Sequence, residues 1–177
     1  YGAQLLTSRR AAGGAQAELD FAMYTAAGAL VDCWRITKTG AATTYSSCMP
    51  PVLGEGPTGR VAVIGDFGRD GTSEARVASL VKGWDTAAAL SAVVTTGDNN
   101  YDFGAASTIA NNIGKHYGWA ILPDAASNRF WPVPGNHVSP LPWPLHAAAG
   151  AGCWLGLDRS SGGRMWAEPA RVSRGSG

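Results

Sequence analysis

The sequence predicts an α/β fold built around a mainly parallel sheet. Two observations carry that expectation. Between residues 59 and 137, three short apolar runs alternate with two helical patterns, which is βαβ logic. Each run ends in a glycine followed by polar residues, the kind of loop that open α/β sheets place at the carboxyl ends of their strands.

The elements follow in chain order. In residues 1–50, Ala17–Thr25 and Ala29–Thr37 alternate roughly apolar and polar, as half-buried strands do. Ala26 to Gly28 between them suits a hairpin turn. This stretch reads as a β-rich segment, the end of a preceding module. Residues 51–58, rich in Pro and Gly, read as a linker. The next run, Arg60-Val-Ala-Val-Ile-Gly65, is almost continuously apolar and β-branched, as a buried parallel strand should be. Thr72 and Ser73 can cap a helix through Ala75, Val77, Leu80 and Val81. Ser91–Thr96 is a second strand. Ala106–Tyr117 is a second helix, with Ile109, Ile113 and Tyr117 at helical spacing. Arg129–Val133 is a third, shorter strand. Trp84, Trp119 and Trp131 read as packing residues between helix and sheet. Residues 138–177 lose all periodicity. That tail is rich in Pro, Gly, Ala, Ser, Arg and Trp, a bias that fits a GC-rich gene read out of frame or a fusion.

Composition narrows the function classes. The 177 residues give room for one ordinary domain, or a partial domain with an appendage. A hydrophobic fraction of 45% suffices for a packed core. A formal net charge of +1 gives no electrostatic case for nucleic acid or an anionic membrane as partner. No apolar run reaches the ~18 residues of a membrane span. No signal peptide is visible, and the chain opens at Tyr1 in mid-pattern, as a fragment or processed product would. Of the three cysteines, Cys33 and Cys48 flank a hairpin. They either pair in an oxidising compartment or remain two small buried thiols, which leaves Cys153 over.

The chemistry is concentrated in the three loops: Gly65-Asp66-Phe67-Gly68, Gly97-Asp98-Asn99-Asn100-Tyr101 and Gly135-Asn136-His137. Glycine lets the backbone turn sharply at a strand end, so that the next side chain points outward. Carboxylate, amide, phenol and imidazole groups from adjacent strands then converge. A carboxylate bridges two cations, an Asn carbonyl is a neutral oxygen ligand, and a deprotonated Tyr binds ferric iron strongly. Two metals ~3.5–4 Å apart hold a phosphate and make hydroxide available near neutral pH. The plainer account of each Gly-Asp pair is ordinary turn chemistry, and of Tyr101 a packed loop aromatic. His116 and His146 read as surface or helix histidines, and Arg9 and Arg10 as solvated charges. Asp66-Phe-Gly and Asp102-Phe-Gly both spell a kinase motif, but the Gly-rich loop, strand lysine and HRD loop of a kinase are missing.

Taken together and in this order, GD-x-G, GD-x-x-Y and GNH after successive strands resemble the signature of the calcineurin-like metallophosphoesterases. The tyrosine of the second loop is similar to the purple acid phosphatase branch, and Gly97–Tyr101 with Phe130 leading into Pro134–His137 is similar to bacterial secreted members. The resemblance covers about residues 59–137. It implies that the chain holds about half of a four-layer αββα sandwich. It further implies hydrolysis of phosphate esters, with a lean toward monoesters, by a dinuclear centre of Fe(III) plus a divalent Fe, Zn or Mn ion. In that scheme Asp66 binds the first metal, Asp98 bridges both, Tyr101 ligates the iron and Asn136 binds the second metal. His137 is the catalytic residue beside the phosphate. The full-length protein is expected to be extracellular or periplasmic, with a phosphate ester as its partner. Two departures stand out. Val138 follows GNH where the family usually has Asp or Glu, and after His137 only His146 follows, in Pro144-Leu-His-Ala, which matches neither the lone-His loop nor the GHxH that complete both metals in the family. These departures motivate the alternative of a non-catalytic or weakly metal-binding truncated module.

Overall fold

The computed structural model of the chain describes residues 2–11, 14–47, 57–122, 124, 126–135 and 137. It is a mixed α/β fold around one seven-stranded sheet in the order β4-β3-β2-β1-β5-β6-β7. The strands are β1 (Gly2–Arg10), β2 (Gln16–Thr25), β3 (Leu30–Thr39), β4 (Ala42–Ser47), β5 (Pro57–Ile64), β6 (Ala92–Thr95) and β7 (Phe130–Trp131). β1 to β4 pair as antiparallel neighbours, whereas β5, β6 and β7 run parallel to one another. The crossover from β5 to β6 contains α1 (Thr72–Ala87), and the one from β6 to β7 contains α2 (Ala106–Ile109) and α3 (Lys115–Tyr117), with a π-helical segment, Ala110–Gly114, between them. The βαβ expectation therefore holds for residues 57–131, but the expected mainly parallel sheet does not: among the described strands four of the six pairings are antiparallel, because the N-terminal strands extend the same sheet.

The N-terminal region is larger than the expected hairpin. It contains four strands, and its two halves join the same sheet as the βαβ part, because β1 pairs antiparallel with β5 from Gln4 opposite Val63 to Arg9 opposite Pro57. The β2–β3 hairpin turns at the expected place: the Gly28 amide donates to Thr25 O and the Thr25 amide to Ala29 O, both at 2.9 Å. β5 begins at Pro57, so the last two positions assigned to the linker belong to the strand. Residues 51–56, and the tail from 138 on, lie outside the described residues.

The core forms where one face of the sheet meets the helices. Ala3 and Leu5 of β1, Ala62 and Ile64 of β5, Val93 of β6 and Phe130 of β7 pack with Val77, Ala78 and Val81 of α1 and with Ile113 and Tyr117. Full burial of each Val-, Leu- or Phe-sized side chain contributes ~1.5–3 kcal/mol. The alternation along β5 and β6 turns Val61, Val63 and Val94 to the opposite face, where they are only half-buried. Trp131 is half exposed there too, which corrects its assignment as a packing residue. It sits on the two-residue terminal strand β7 with its side chain opposite in sense to that of buried Phe130. Trp84 and Trp119 do pack against the core cluster.

Polar side chains fasten the helices to the sheet. Arg60, buried on β5, donates through Nη1 to the carbonyls of Trp84 (2.9 Å) and Ala88, and so satisfies the carbonyl end of α1. Asp85 accepts from Arg129 Nη1 at 2.6 Å and from the Leu90 amide at 3.1 Å, tying the start of β7 to the same helix end. The helix begins differently from expectation: Gly71, not Thr72 or Ser73, is the N-cap, and no side chain caps it. The Ala75 amide already reaches Gly71 O at 2.9 Å, so the first turn closes on backbone alone.

Arg9 is likewise no solvated charge. Arg9 Nη1 donates to Asp20 Oδ2 at 2.5 Å, and Arg35 donates through Nε and Nη2 to the two Asp20 oxygens at 2.7 and 3.0 Å. Burial pulls the Asp20 carboxyl up, but the hydrogen bonds and charges of Arg35 and Arg9 outweigh it and hold the group below its ordinary value. Cys33 is disulfide-bonded; Cys48, the partner that the sequence suggests, lies outside the described residues.

Asp20→Asn removes the counter-charge of Arg9 and leaves Arg35 only Glu18, at 3.8 Å, and is expected to cost ~2–3 kcal/mol at neutral pH. Because the folded pKa of Asp20 is depressed, its stabilisation is present above ~4 and is lost as pH falls through the folded value. Urea unfolding at a series of pH values should show the gap between wild type and Asp20→Asn closing below pH ~4. A gap that is absent at pH 7, or constant with pH, contradicts this account.

Candidate functional site

The parallel strands β5, β6 and β7 finish at the same edge of the sheet, so the loops after Ile64, Thr95 and Trp131 lie side by side. They touch through backbone. The Gly68 amide donates to Asp98 O at 3.2 Å, the Tyr101 amide to Gly68 O at 2.7 Å and the Asp66 amide to Gly97 O at 3.4 Å. Two glycines make the approach feasible. A Cβ on Gly68 would lie 2.0 Å from the Asn99 carbonyl carbon, and one on Gly135 would lie 2.1 Å from the Asp98 nitrogen. No side chain fits at either position without moving a neighbouring loop.

Asp66 and Asp98 both occupy the left-handed region, each with φ 51°. For a non-glycine residue that conformation costs on the order of 1–3 kcal/mol and persists only where the surroundings enforce it. Here it aims both carboxylates at one group: the Tyr101 hydroxyl lies 3.1 Å from Asp66 Oδ1 and 3.1 Å from Asp98 Oδ2. As a phenol it has one proton to share between two carboxylates. Burial, then the hydrogen bonds to Asp98 and Asp66, raise the Tyr101 pKa well above its ordinary value. Burial also works to raise that of Asp98, but donation from the His137 amide and the Tyr101 hydroxyl wins and holds the carboxylate ionised.

His137 enters from the third loop. Its amide donates to Asp98 Oδ1 at 3.0 Å, its Nδ1 lies 3.3 Å from Asp102 O, and its ring centroid is 4.7 Å from that of Tyr101. The backbone carbonyl of Asp102 is thus the partner that orients the imidazole. Asn136 lies outside the described residues. Of the five residues singled out from the sequence, Asp66, Asp98, Tyr101 and His137 are therefore brought together.

A supporting set was not foreseen. Asn100 Oδ1 accepts from Thr108 Oγ1 at 2.7 Å and from Asn112 Nδ2 at 2.9 Å, and Asn112 Oδ1 accepts from the Asp70 amide at 3.1 Å. Asn112 thereby braces the first loop against the second from the π-helical segment. The Arg69 guanidinium lies 5.4 Å above the Tyr101 ring and pairs with Asp102. Asn99 Oδ1 is buried without a hydrogen-bond partner, while its Nδ2 donates to Val133 O at 2.7 Å. The run of polar residues after Gly97 was the one available signal for Asn99 and Asn100; nothing in the sequence marks Asn112.

The donor set fits one hard or borderline cation. Two carboxylates and a phenol oxygen already converge, and a cation between them would displace the shared proton that now holds them together. The fit to a second cation is weaker. Among the described residues, the trio of His, Asp or Glu side chains whose ligand atoms all lie within 4.8 Å of one another is Asp70, Glu74 and His116, not a set containing His137.

Gly68→Ala is expected to lower stability by ~1–3 kcal/mol, the usual cost of overpacking that moves backbone. Thermal unfolding should show the loss, and the amide resonances of Asp98 to Tyr101 should shift with it. An unchanged midpoint would mean that the loops do not bear on one another through Gly68.

In comparisons with known proteins, no family model, curated protein or solved structure matches this chain.

Proposed function

We propose that the three loops are the metal- and phosphate-binding edge of a calcineurin-like metallophosphoesterase of the purple acid phosphatase type, acting on phosphate monoesters. The observation that carries this reading is the Tyr101 hydroxyl held at 3.1 Å from both Asp66 and Asp98, with both aspartates in the left-handed conformation. Backbone strain of that kind collects at ligand-holding sites. The order GD-x-G, GD-x-x-Y, GNH at the ends of parallel strands supports the same reading. Half-buried Val61, Val63 and Val94 on the face away from α1 fit a further layer there, as a four-layer αββα sandwich would require.

In this reading Asp66, Asp98 and Tyr101 would hold a first ion, Fe(III), and Asp98 and Asn136 would serve a second, divalent one. When bound, the ions supply the positive charge that offsets a phosphate group and activates water. The remaining chemistry belongs to side chains. His137, with Nδ1 toward Asp102 O, keeps Nε2 to carry a proton to the leaving oxygen. Arg69, beside Tyr101 and paired with Asp102, is the guanidinium within reach of an anionic substrate that would replace that carboxylate.

A second reading is a truncated module that binds one ion and does not turn over. Val138 directly after Gly135-Asn136-His137 favours it, as does the absence of His137 from any tight ligand trio among the described residues.

The test is hydrolysis of an aryl phosphate by the full chain loaded with Fe(III) plus Zn(II) or Mn(II). Activity is expected, and Asp98→Asn is expected to reduce it by at least ~10²-fold, as loss of a positioned charge in a catalytic site does. Activity in Asp98→Asn equal to that of wild type would contradict the reading. Tight binding of one ion without turnover would select the truncated module.

A further inference from the structure

A second cluster lies away from the loop trio. Asp70 sits in the segment between β5 and α1, Glu74 in the first turn of α1, and His116 on α3. One ligand atom from each lies within 4.8 Å of the others. His116 Nε2 is 2.8 Å from Asp70 Oδ1 and 3.5 Å from Glu74 Oε2. The sequence reading set His116 aside as a surface or helix residue; instead its side chain is 6% exposed and faces two carboxylates.

Glu74 is the anomaly. Its side chain is 2% exposed, and neither carboxylate oxygen has a hydrogen-bond partner. The Tyr117 hydroxyl, on the residue after His116, is also buried without one. Burying a carboxylate that accepts no hydrogen bond is costly. The polar group facing it, His116 Nε2, stays 3.5 Å away and makes no hydrogen bond to it. Burial and the charge of Asp70 push the Glu74 carboxyl up to about 8, against the pull of Lys115.

We propose that Asp70, Glu74 and His116 bind one divalent transition-metal ion of the zinc or manganese type. Two carboxylates and one imidazole are a donor set that such ions accept, with the remaining positions left to water. Glu74 is the buried ligand. Asp70, with its side chain 35% exposed, is the open side through which the ion enters. Lys115 Nζ, at 2.9 and 3.1 Å from the Asp70 oxygens, holds that position when no ion does. The bound ion links the first loop, α1 and α3. Because Asp70 and the second loop share Asn112, it braces the loop trio without belonging to it.

The experiment uses the full chain stripped with chelator and carrying Asp66→Asn and Asp98→Asn to silence the first site. Zn²⁺ is added while the ¹⁵N resonances of the imidazoles are followed, and zinc retained after desalting is measured. The expected result is about one zinc per chain, with the His116 nitrogens shifting on binding. Glu74→Gln is expected to weaken binding at least ~10-fold, no less than loss of an outer-shell partner does. If His116 does not respond to excess Zn²⁺ in a chain that circular dichroism shows to be folded, or if Glu74→Gln retains zinc undiminished, the proposal fails. Should the double substitution unfold the chain, the same titration on the unsubstituted chain decides, because His116 and His137 give separate resonances. Absence of phosphatase activity leaves this result untouched.

Discussion

Parallel pairing of β5 with β6 and of β6 with β7 brings three strand ends to one edge of the sheet, and the backbones of the loops that follow press directly on one another. Everything proposed for the site depends on that contact. Gly68 lies against the Asn99 carbonyl and Gly135 against the Asp98 nitrogen, each at a distance that admits no Cβ. With the loops so close, Asp66 and Asp98 adopt the left-handed conformation and share the Tyr101 hydroxyl. A looser packing would leave three ordinary Gly-Asp turns, with carboxylates dispersed in water.

The energetic logic is that of a preorganised site. Two strained aspartates cost on the order of 2–6 kcal/mol together, which the rest of the fold must offset. The buried face of the sheet against α1, the Arg60 cap on that helix and the Asn100–Asn112 network do so. The Tyr101 proton is the element most open to replacement. It holds two carboxylates at one oxygen, and its pKa is raised so long as no cation is there. A metal ion reverses that preference, because positive charge at the same place favours the phenolate.

Much of this was legible in the sequence. The β-branched run Val61–Ile64 and the run Ala92–Thr95, separated by a helical pattern, announced the parallel pair, and glycines before Asp66 and Asp98 announced the sharp turns. What escaped has identifiable causes. β1 was missed because Gln4, Thr7 and Ser8 interrupt its apolar pattern; only the ladder to β5 shows that Thr7 is a buried position. Arg9 read as solvated because its partner, Asp20, is eleven residues away and reached only across the β1–β2 pairing. His116 read as a helix residue for the same reason: Asp70 and Glu74 are more than forty residues earlier in the chain, and only the packing of α3 on α1 brings them together. Local pattern reports periods and turns; ion pairs and ligand sets are properties of the register between distant elements.

The central claim is that Asp66, Asp98 and Tyr101 form a cation site. Titration of the metal-free chain with Fe(III), followed by visible absorption, tests it most directly, because a phenolate bound to ferric iron gives a charge-transfer band that carboxylates alone do not. The account predicts a band that saturates at about one iron per chain and vanishes in Tyr101→Phe. If no band appears although iron binds, or if Tyr101→Phe retains it, then the three oxygens held together by one hydroxyl are not a metal site.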